Sequence, residues 1–308
     1  MSDFPIGILV AAFNAEETLP IALDSLLTQT NDHWLAALID DGSQDDTSKI
    51  MKRYAKADER FIFSRQDNQG SALARNAAEK LLPEAVQQLA FLDADDYLDE
   101  NYVQEVRAAY QRFAPVDIVF INALRVDEGG NMRPWVERRA TGTLTFEQVL
   151  RTSEFLGGGT LFSRERFRSV GGFSDSYVED YDLWLRMMAA GAHACYCDRA
   201  LYCYNIAEKG RKTLDLESNA QETIRALDRI LAIADLSKSE LDAIGAHKKA
   251  CLLLPELSAQ HDQIKRFLEK HLGPQKASGA MRIAHSFSRP LRPLRRLFAR
   301  LQSGSGRL

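Results

Sequence analysis

Cysteine is scarce. Cys195, Cys197, Cys203 and Cys251 give neither a disulfide framework nor the Cys-x-x-Cys pairs of a zinc site, so reduced core thiols are expected. Long apolar runs are missing as well: no stretch approaches the roughly 18 residues of a membrane span. Met1 to Gly7 lacks the basic-then-apolar order of an export signal, so a cytoplasmic location is expected. Glycine-rich phosphate loops are a third absence. Where a dinucleotide-binding fold carries Gly-x-Gly-x-x-Gly, the chain reads Ala11-Ala12-Phe13-Asn14-Ala15-Glu16. That sequence denies a pyrophosphate close approach to the backbone, and no Walker A loop occurs, which removes the oxidoreductase and P-loop readings. A nucleotidyltransferase would want a glycine-rich loop bearing Lys or Arg at the same place, and none is there.

The 308 residues are 45% hydrophobic and 27% charged, enough for one large domain and an appendage. A net charge of −4 conceals an asymmetry. From Lys276 to Leu308 there are eight Lys or Arg and no acids, so residues 1–275 carry −12. The two parts face different partners.

Ile6 to Phe13 is a continuous apolar run, as in a strand buried on both faces, and Leu19, Leu23, Leu26 and Leu27 follow at helical spacing. The alternation continues with a strand at 34–39, a helix after Asp46-Thr47, a strand at 61–64, a helix at 71–82 and a strand at 89–92. Such alternation predicts a mostly parallel sheet with helices on both faces, whose ligands gather at the carboxyl ends of the strands. Further strands are expected at 117–122 and 159–163, with a hairpin around Asp127 to Trp135. Helices are predicted at 216–234, after a Ser237/Glu240 capping box, and at 256–272.

The strand at 89–92 runs directly into Asp93, Asp95 and Asp96. Carboxylates contribute nothing to an apolar core, whereas hard cations such as Mg²⁺ or Mn²⁺ want oxygen ligands and are often shared with phosphates. Taken alone, the same residues read more readily as a solvated turn that caps the next helix, and it is the surrounding sequence that reverses this.

Several segments, taken together and in order, resemble the family 2 glycosyltransferases. They are Ile8 to Asn14 with Leu23 to Thr30, Asp40 to Thr47, Asn68-Gln69-Gly70 with Ala74-Arg75-Asn76, Phe91 to Asp96, Val170 to Phe173, and Glu179 to Arg186. The resemblance spans residues 5 to 205 and implies a GT-A fold, an inverting transfer and a nucleotide-sugar donor. It places Phe13 and Asn14 at the donor, with the Phe13 ring against the nucleobase. Asp41 falls where an acid accepts the base ring N–H, consistent with uracil or thymine, and Arg75 falls near the diphosphate. Asp93 and Asp95 form the Asp-X-Asp motif: Asp95 binds Mg²⁺ or Mn²⁺, and Asp93 takes the ribose or a metal-bound water, with Asp96 able to exchange with either. Asp180 is the base, with Glu179 beside it raising its proton affinity. Asp182 is supporting, and Arg186 pairs with Glu179 or Asp182. Many relatives carry a metal-binding His after the strand matching Leu201 to Tyr204. Here Tyr204-Asn205-Ile206-Ala207 has none, which leaves that ligand to water or to residues 208–213, or leaves the metal weakly bound without donor.

The implied division is a catalytic domain at 1–214, a helical appendage at 215–274 and a basic tail at 275–308. In the tail, Leu291, Leu294, Leu297, Phe298 and Leu301 recur among Arg289, Arg292, Arg295, Arg296 and Arg300. A basic amphipathic helix of this kind fits an anionic membrane surface, so a peripheral position on the inner face of the cytoplasmic membrane is expected. Packing of the stripe on protein is the alternative. The expected partners are a nucleoside-diphosphate sugar and a glycan or lipid-linked acceptor, with no nucleic acid. A catalytically silent nucleotide-sugar or glycan-binding module is the competing reading, and loss of Asp-X-Asp or Glu-Asp would be its sign. Both motifs are intact.

Overall fold

The structure, a computed structural model, describes residues 5–127, 129–136, 139–151, 157–205 and 216–253. Strand and helix alternate through β1 (Ile6–Ala12), α1 (Leu19–Leu27), β2 (Trp34–Asp40), α2 (Thr47–Ala57), β3 (Phe61–Arg65), α3 (Ser71–Leu81) and β4 (Gln88–Phe91). There follow β5 (Tyr97–Leu98), α4 (Tyr102–Arg112), β6 (Ile118–Val126), β7 (Met132–Pro134), β8 (Gly142–Leu144) and α5 (Phe146–Leu150). Then come β9 (Leu161–Ser163), α6 (Arg164–Ser169), α7 (Glu179–Ala189), β10 (Ala194–Asn205), α8 (Leu216–Ile233) and α9 over 238–253.

The strands form one sheet in the order β3-β2-β1-β4-β9-β6-β10-β5, with β7 on β6 and β8 on β10. Its longest ladders are parallel: β1 with β2 and β4, β2 with β3, and β6 with β10. The remaining pairings are short and antiparallel. β9 lies antiparallel to both β4 and β6. Two reversals restore the direction, so β10 ends at the same sheet edge as β1, β2 and β4. That shared edge collects the acids.

Alternate residues of β1 serve two cores. Ile8 and Val10 join Leu19, Leu23, Met51 and Val106 on one face, while Leu9 joins Ala74, Ala78, Phe162 and Trp184 on the other. A strand apolar on both sides needs helices on both sides, and has them. The expectation of a helix-flanked α/β sheet therefore holds. The hairpin after Asp127 also forms, with β7 antiparallel to β6 and the Asp127 carboxylate accepting the Gly129 and Asn131 N–H groups.

The sequence reading assigns no element to α4, although its buried Tyr102, Val103, Val106 and Ala109 recur at helical spacing. Ala226, Leu227 and Ile230 of α8 and Ala243 and Ile244 of α9 belong to the core that holds Trp184. The Ser237/Glu240 capping box is present, each partner bonding the other's backbone N–H. Residues Met1–Cys251 form one compact unit. The helix expected at 256–272 and the basic tail lie outside the described residues. All four cysteines are buried free thiols.

Candidate active site

At the end of β1, Phe13 is 49% exposed, an unusual position for an aromatic that directly follows a buried strand. Asn14 has φ 50, a left-handed conformation that Asn tolerates better than most residues. The turn is tied to the loop after β2. Asn14 N–H donates to Ser43 Oγ at 3.0 Å, and its side-chain oxygen accepts Gln44 N–H at 2.8 Å.

Asp40 and Asp41 close β2. Asp40 is buried and its Oδ1 accepts Ser43 N–H at 2.9 Å, which fixes the turn. Asp41 accepts from Gln66 Nε2 at 2.7 Å, Gln69 N–H at 3.0 Å and Gly70 N–H at 2.8 Å. It therefore fastens the start of α3 to the end of β2. A carboxylate offers about four lone-pair sites, so one further donor is accommodated.

Beyond β4, Asp93, Asp95 and Asp96 present carboxylate oxygens that all lie within 4.8 Å of one another. Three hard oxygen donors at this separation fit a divalent cation. Asp96 is 1% exposed and held from β10, its Oδ2 accepting Tyr202 O–H at 2.8 Å and its Oδ1 accepting Asn205 N–H at 2.9 Å. Burial, with Asp93 and Asp96 nearby, raises the Tyr202 hydroxyl well above its ordinary pKa, so it remains a donor. Asp93 and Asp95 are half-buried.

Arg75 projects from α3 and is buried. One terminal nitrogen donates to Asp93 and the other to Glu179 Oε1 at 3.0 Å, while its guanidinium lies 4.1 Å from the centre of the Phe91 ring. Burial opposes its charge, but Asp93 and Glu179 outweigh burial and hold the guanidinium above its usual range. The arginine is thus a cationic tie between the Asp-X-Asp motif and the head of α7. Ser71 Oγ adds a hydrogen bond to Glu179 at 2.8 Å.

Glu179, Asp180 and Asp182 occupy the first turn of α7, where the helix dipole favours negative charge. Asp180 is nevertheless pushed up from 3.8 to about 6, first by burial and then by the charge of Glu179. Ionised Asp180 therefore costs about 3 kcal/mol of stability, absent below pH 3.8 and complete above about pH 6. Leu183, Trp184, Leu185 and Met187 of the same helix are fully buried, and at about 1.5–3 kcal/mol for each aliphatic or Met side chain they outweigh it.

Asp182 has a different environment. Its Oδ2 accepts Ser174 Oγ at 2.6 Å and Arg186 Nε at 2.8 Å, and its Oδ1 accepts Arg229 from α8 at 2.6 and 2.9 Å. Burial alone would raise its pKa, but Ser174 and the two arginines hold it below 3.8. Arg186 also donates to the carbonyls of Val170 and Gly172. Asp182 and Arg186 are thus a structural clamp, and of the two partners expected for Arg186 it takes Asp182. His193 lies against Asp117: its backbone N–H donates to the Asp117 carboxylate and its ring is exposed. Sequence reasoning missed Tyr202, Ser71 and Arg229. A tyrosine within an apolar strand must satisfy its hydroxyl, and that was the available signal for Tyr202.

The helix-flanked sheet with its acid cluster at one edge has the GT-A glycosyltransferase fold, as comparison with solved structures shows. In line with this, the crystal structure of S. aureus TarS 1–349 in complex with UDP-GlcNAc superposes with a TM-score of 0.68 at 17% identity, covering 86% of this chain and 81% of that one. Residues 7–171 match the family Glycosyl transferase family 2, and residues 138–208 match the N-terminal domain of galactosyltransferase. The chain belongs to glycosyl transferase family 2. Its relatives include glycosyltransferase GlyA of Streptococcus pneumoniae, 24% identical over 248 residues that make up 76% of this chain and 35% of GlyA. The chain thus spans well under half of that longer relative. The Escherichia coli UDP-Glc:alpha-D-GlcNAc-diphosphoundecaprenol beta-1,3-glucosyltransferase WfgD is 26% identical over 189 residues, 61% of this chain and 71% of WfgD. No helix among the described residues is long and apolar enough to cross a membrane.

Proposed function

We propose that the chain is an inverting glycosyltransferase that moves a sugar from a nucleoside-diphosphate sugar, UDP or dTDP by preference, to an acceptor hydroxyl in bacterial surface glycan synthesis. One observation carries the reading: Asp180, with a pKa of about 6, stands beside Glu179, which Arg75 ties to Asp93 of the Asp-X-Asp motif. Proton acceptor and acid cluster are one connected assembly. Asp180 takes the acceptor's hydroxyl proton as its oxygen attacks the anomeric carbon from the face opposite the diphosphate, which departs with the bonding pair. Asp95 and Asp93 would hold Mg²⁺ or Mn²⁺, which when bound would supply positive charge to this leaving group. Phe13 stacks on the base, since a ring face accepts any nucleobase, and Asp41 receives the ring N–H of uracil or thymine. Arg75 serves the donor indirectly, by orienting Asp93.

The names of TarS, in complex with UDP-GlcNAc, and of WfgD support a UDP donor, and that of WfgD supports a lipid-linked acceptor. Screening UDP, dTDP and GDP sugars for thermal stabilisation tests the donor. Ligand at 100 times its Kd stabilises by about 2.7 kcal/mol, so a UDP or dTDP sugar should raise Tm by several degrees with Mn²⁺ and by less without it. A GDP sugar as the best stabiliser refutes the uracil or thymine reading, and the absence of any shift refutes the donor class.

The stretch at 289–301 gives the acceptor reading a second support, because a basic amphipathic segment would bring the site to a lipid-linked substrate. Each basic residue near an anionic leaflet contributes about 1 kcal/mol. The full chain should pellet with anionic vesicles at low salt and a chain ending at Gly273 should not. Equal sedimentation removes the membrane contact and leaves the transferase reading intact.

A further inference from the structure

Three consecutive glycines, Gly157-Gly158-Gly159, run past the site, the first pressed by Asp180 and Phe91 and the other two by Tyr202. A Cβ on Gly157 would stand 2.2 Å from Asp180 Oδ2 and 2.6 Å from the Phe91 ring. A Cβ on Gly158 would stand 2.3 Å from Tyr202 Cζ and 2.4 Å from its hydroxyl oxygen. Gly159, at φ 73, is held between the sheet and α4: its N–H donates to the Phe91 carbonyl of β4 at 2.9 Å, and its carbonyl accepts Tyr102 O–H of α4 at 2.7 Å. The segment is therefore fixed to the last residue of β4, two positions before Asp93. It touches the base on one side and Tyr202 on the other.

Tyr202 is buried, with its ring seated on Gly158 and Gly159. Its hydroxyl lies 2.8 Å from Asp96 Oδ2, 3.5 Å from Asp93 Oδ2 and 3.4 Å from the Asp93 backbone nitrogen. One oxygen thus touches two of the three clustered acids. Carboxylates this close repel one another, and a buried donor between them sets their positions before any cation arrives. Without a hydroxyl at that point, Asp96 keeps the Asn205 N–H and loses the Tyr202 donor.

We propose that Tyr202 is a positioning residue for the cation-facing acids, and that Gly157 and Gly158 are spacers that set those acids and the base Asp180 at their working separation. The inference rests on the metal and base roles given above, and it assigns separate effects to neighbouring positions. Tyr202→Phe keeps the ring on Gly158 and removes one atom, so the fold is retained. Partners of this kind affect metal affinity by roughly 10- to 100-fold. Mn²⁺ titrated into the protein, with free Mn²⁺ read from its paramagnetic resonance signal, should therefore bind that much more weakly to Tyr202→Phe. Gly157→Ala should keep Mn²⁺ affinity and lose turnover, by roughly 10²-fold if the carboxylate of Asp180 moves by about 1 Å. Excess Mn²⁺ should not restore it.

Wild-type Mn²⁺ affinity in Tyr202→Phe overturns the proposal, as does wild-type turnover in Gly157→Ala. If Gly157→Ala does not fold, as judged by its circular dichroism melt, the Tyr202→Phe titration alone decides. A wild-type protein that binds no Mn²⁺ at all overturns the metal reading itself, and the inference with it.

Discussion

Asp180→Asn is expected to bind the nucleotide-sugar donor as the wild type does and to turn over roughly 10²- to 10⁴-fold more slowly, the loss that follows removal of a general base. Asn keeps the shape of the side chain, and its oxygen can still accept the Tyr181 N–H that Asp180 Oδ1 accepts at 2.7 Å. What it cannot do is take a proton. The same group sets a pH dependence. The base must be ionised to act, so kcat/KM should fall about tenfold per pH unit below about 6 and level off above it, and the Asn variant should lose that acidic limb. Near-normal transfer by Asp180→Asn would move the base to Glu179, since Asp182 has both oxygens committed to Ser174, Arg186 and Arg229.

Asp95→Ala should abolish turnover while leaving the melting temperature close to that of the wild type. Asp95 is half-buried in a turn beyond the sheet, whereas Asp96 is 1% exposed and anchors β10. Removing Asp96 would therefore confuse loss of fold with loss of function, and Asp95 is the cleaner probe. Chelation provides an independent check: protein treated with EDTA should stop transferring sugar and recover when Mg²⁺ or Mn²⁺ is returned. Undiminished transfer after EDTA would refute the metal assignment.

Features carried by local pattern were legible from the chain alone. The apolar run into Phe13, the acids at the ends of β2 and just beyond β4, and the acidic first turn of α7 are each written in a few consecutive residues, and each forms as expected. What escaped was the wiring between distant segments. Tyr202 reaches Asp96 across 106 positions, Ser71 reaches Glu179 across 108, and Arg229 reaches Asp182 across 47. No periodicity encodes such pairings, which follow from sheet order, and the antiparallel insertion of the three-residue β9 between β4 and β6 was not legible either. Arg75 illustrates both limits. The resemblance placed it near the diphosphate, whereas its burial between Asp93 and Glu179 depended on a pairing across 104 positions that no local pattern carries.

The clamp on Asp182 ties the first turn of α7 to α8, because Arg229 holds one carboxylate oxygen while Arg186 and Ser174 hold the other. Opening α8 alone would strand a buried charge on one side, so fraying of that helix is coupled to loosening of the turn that carries Asp180. The two helices then behave as one cooperative opening unit rather than as a rigid enzyme with a loosely attached neighbour. Sequence drift at Arg229 of α8 would accordingly register at the turn that carries Asp180, a helix away from it.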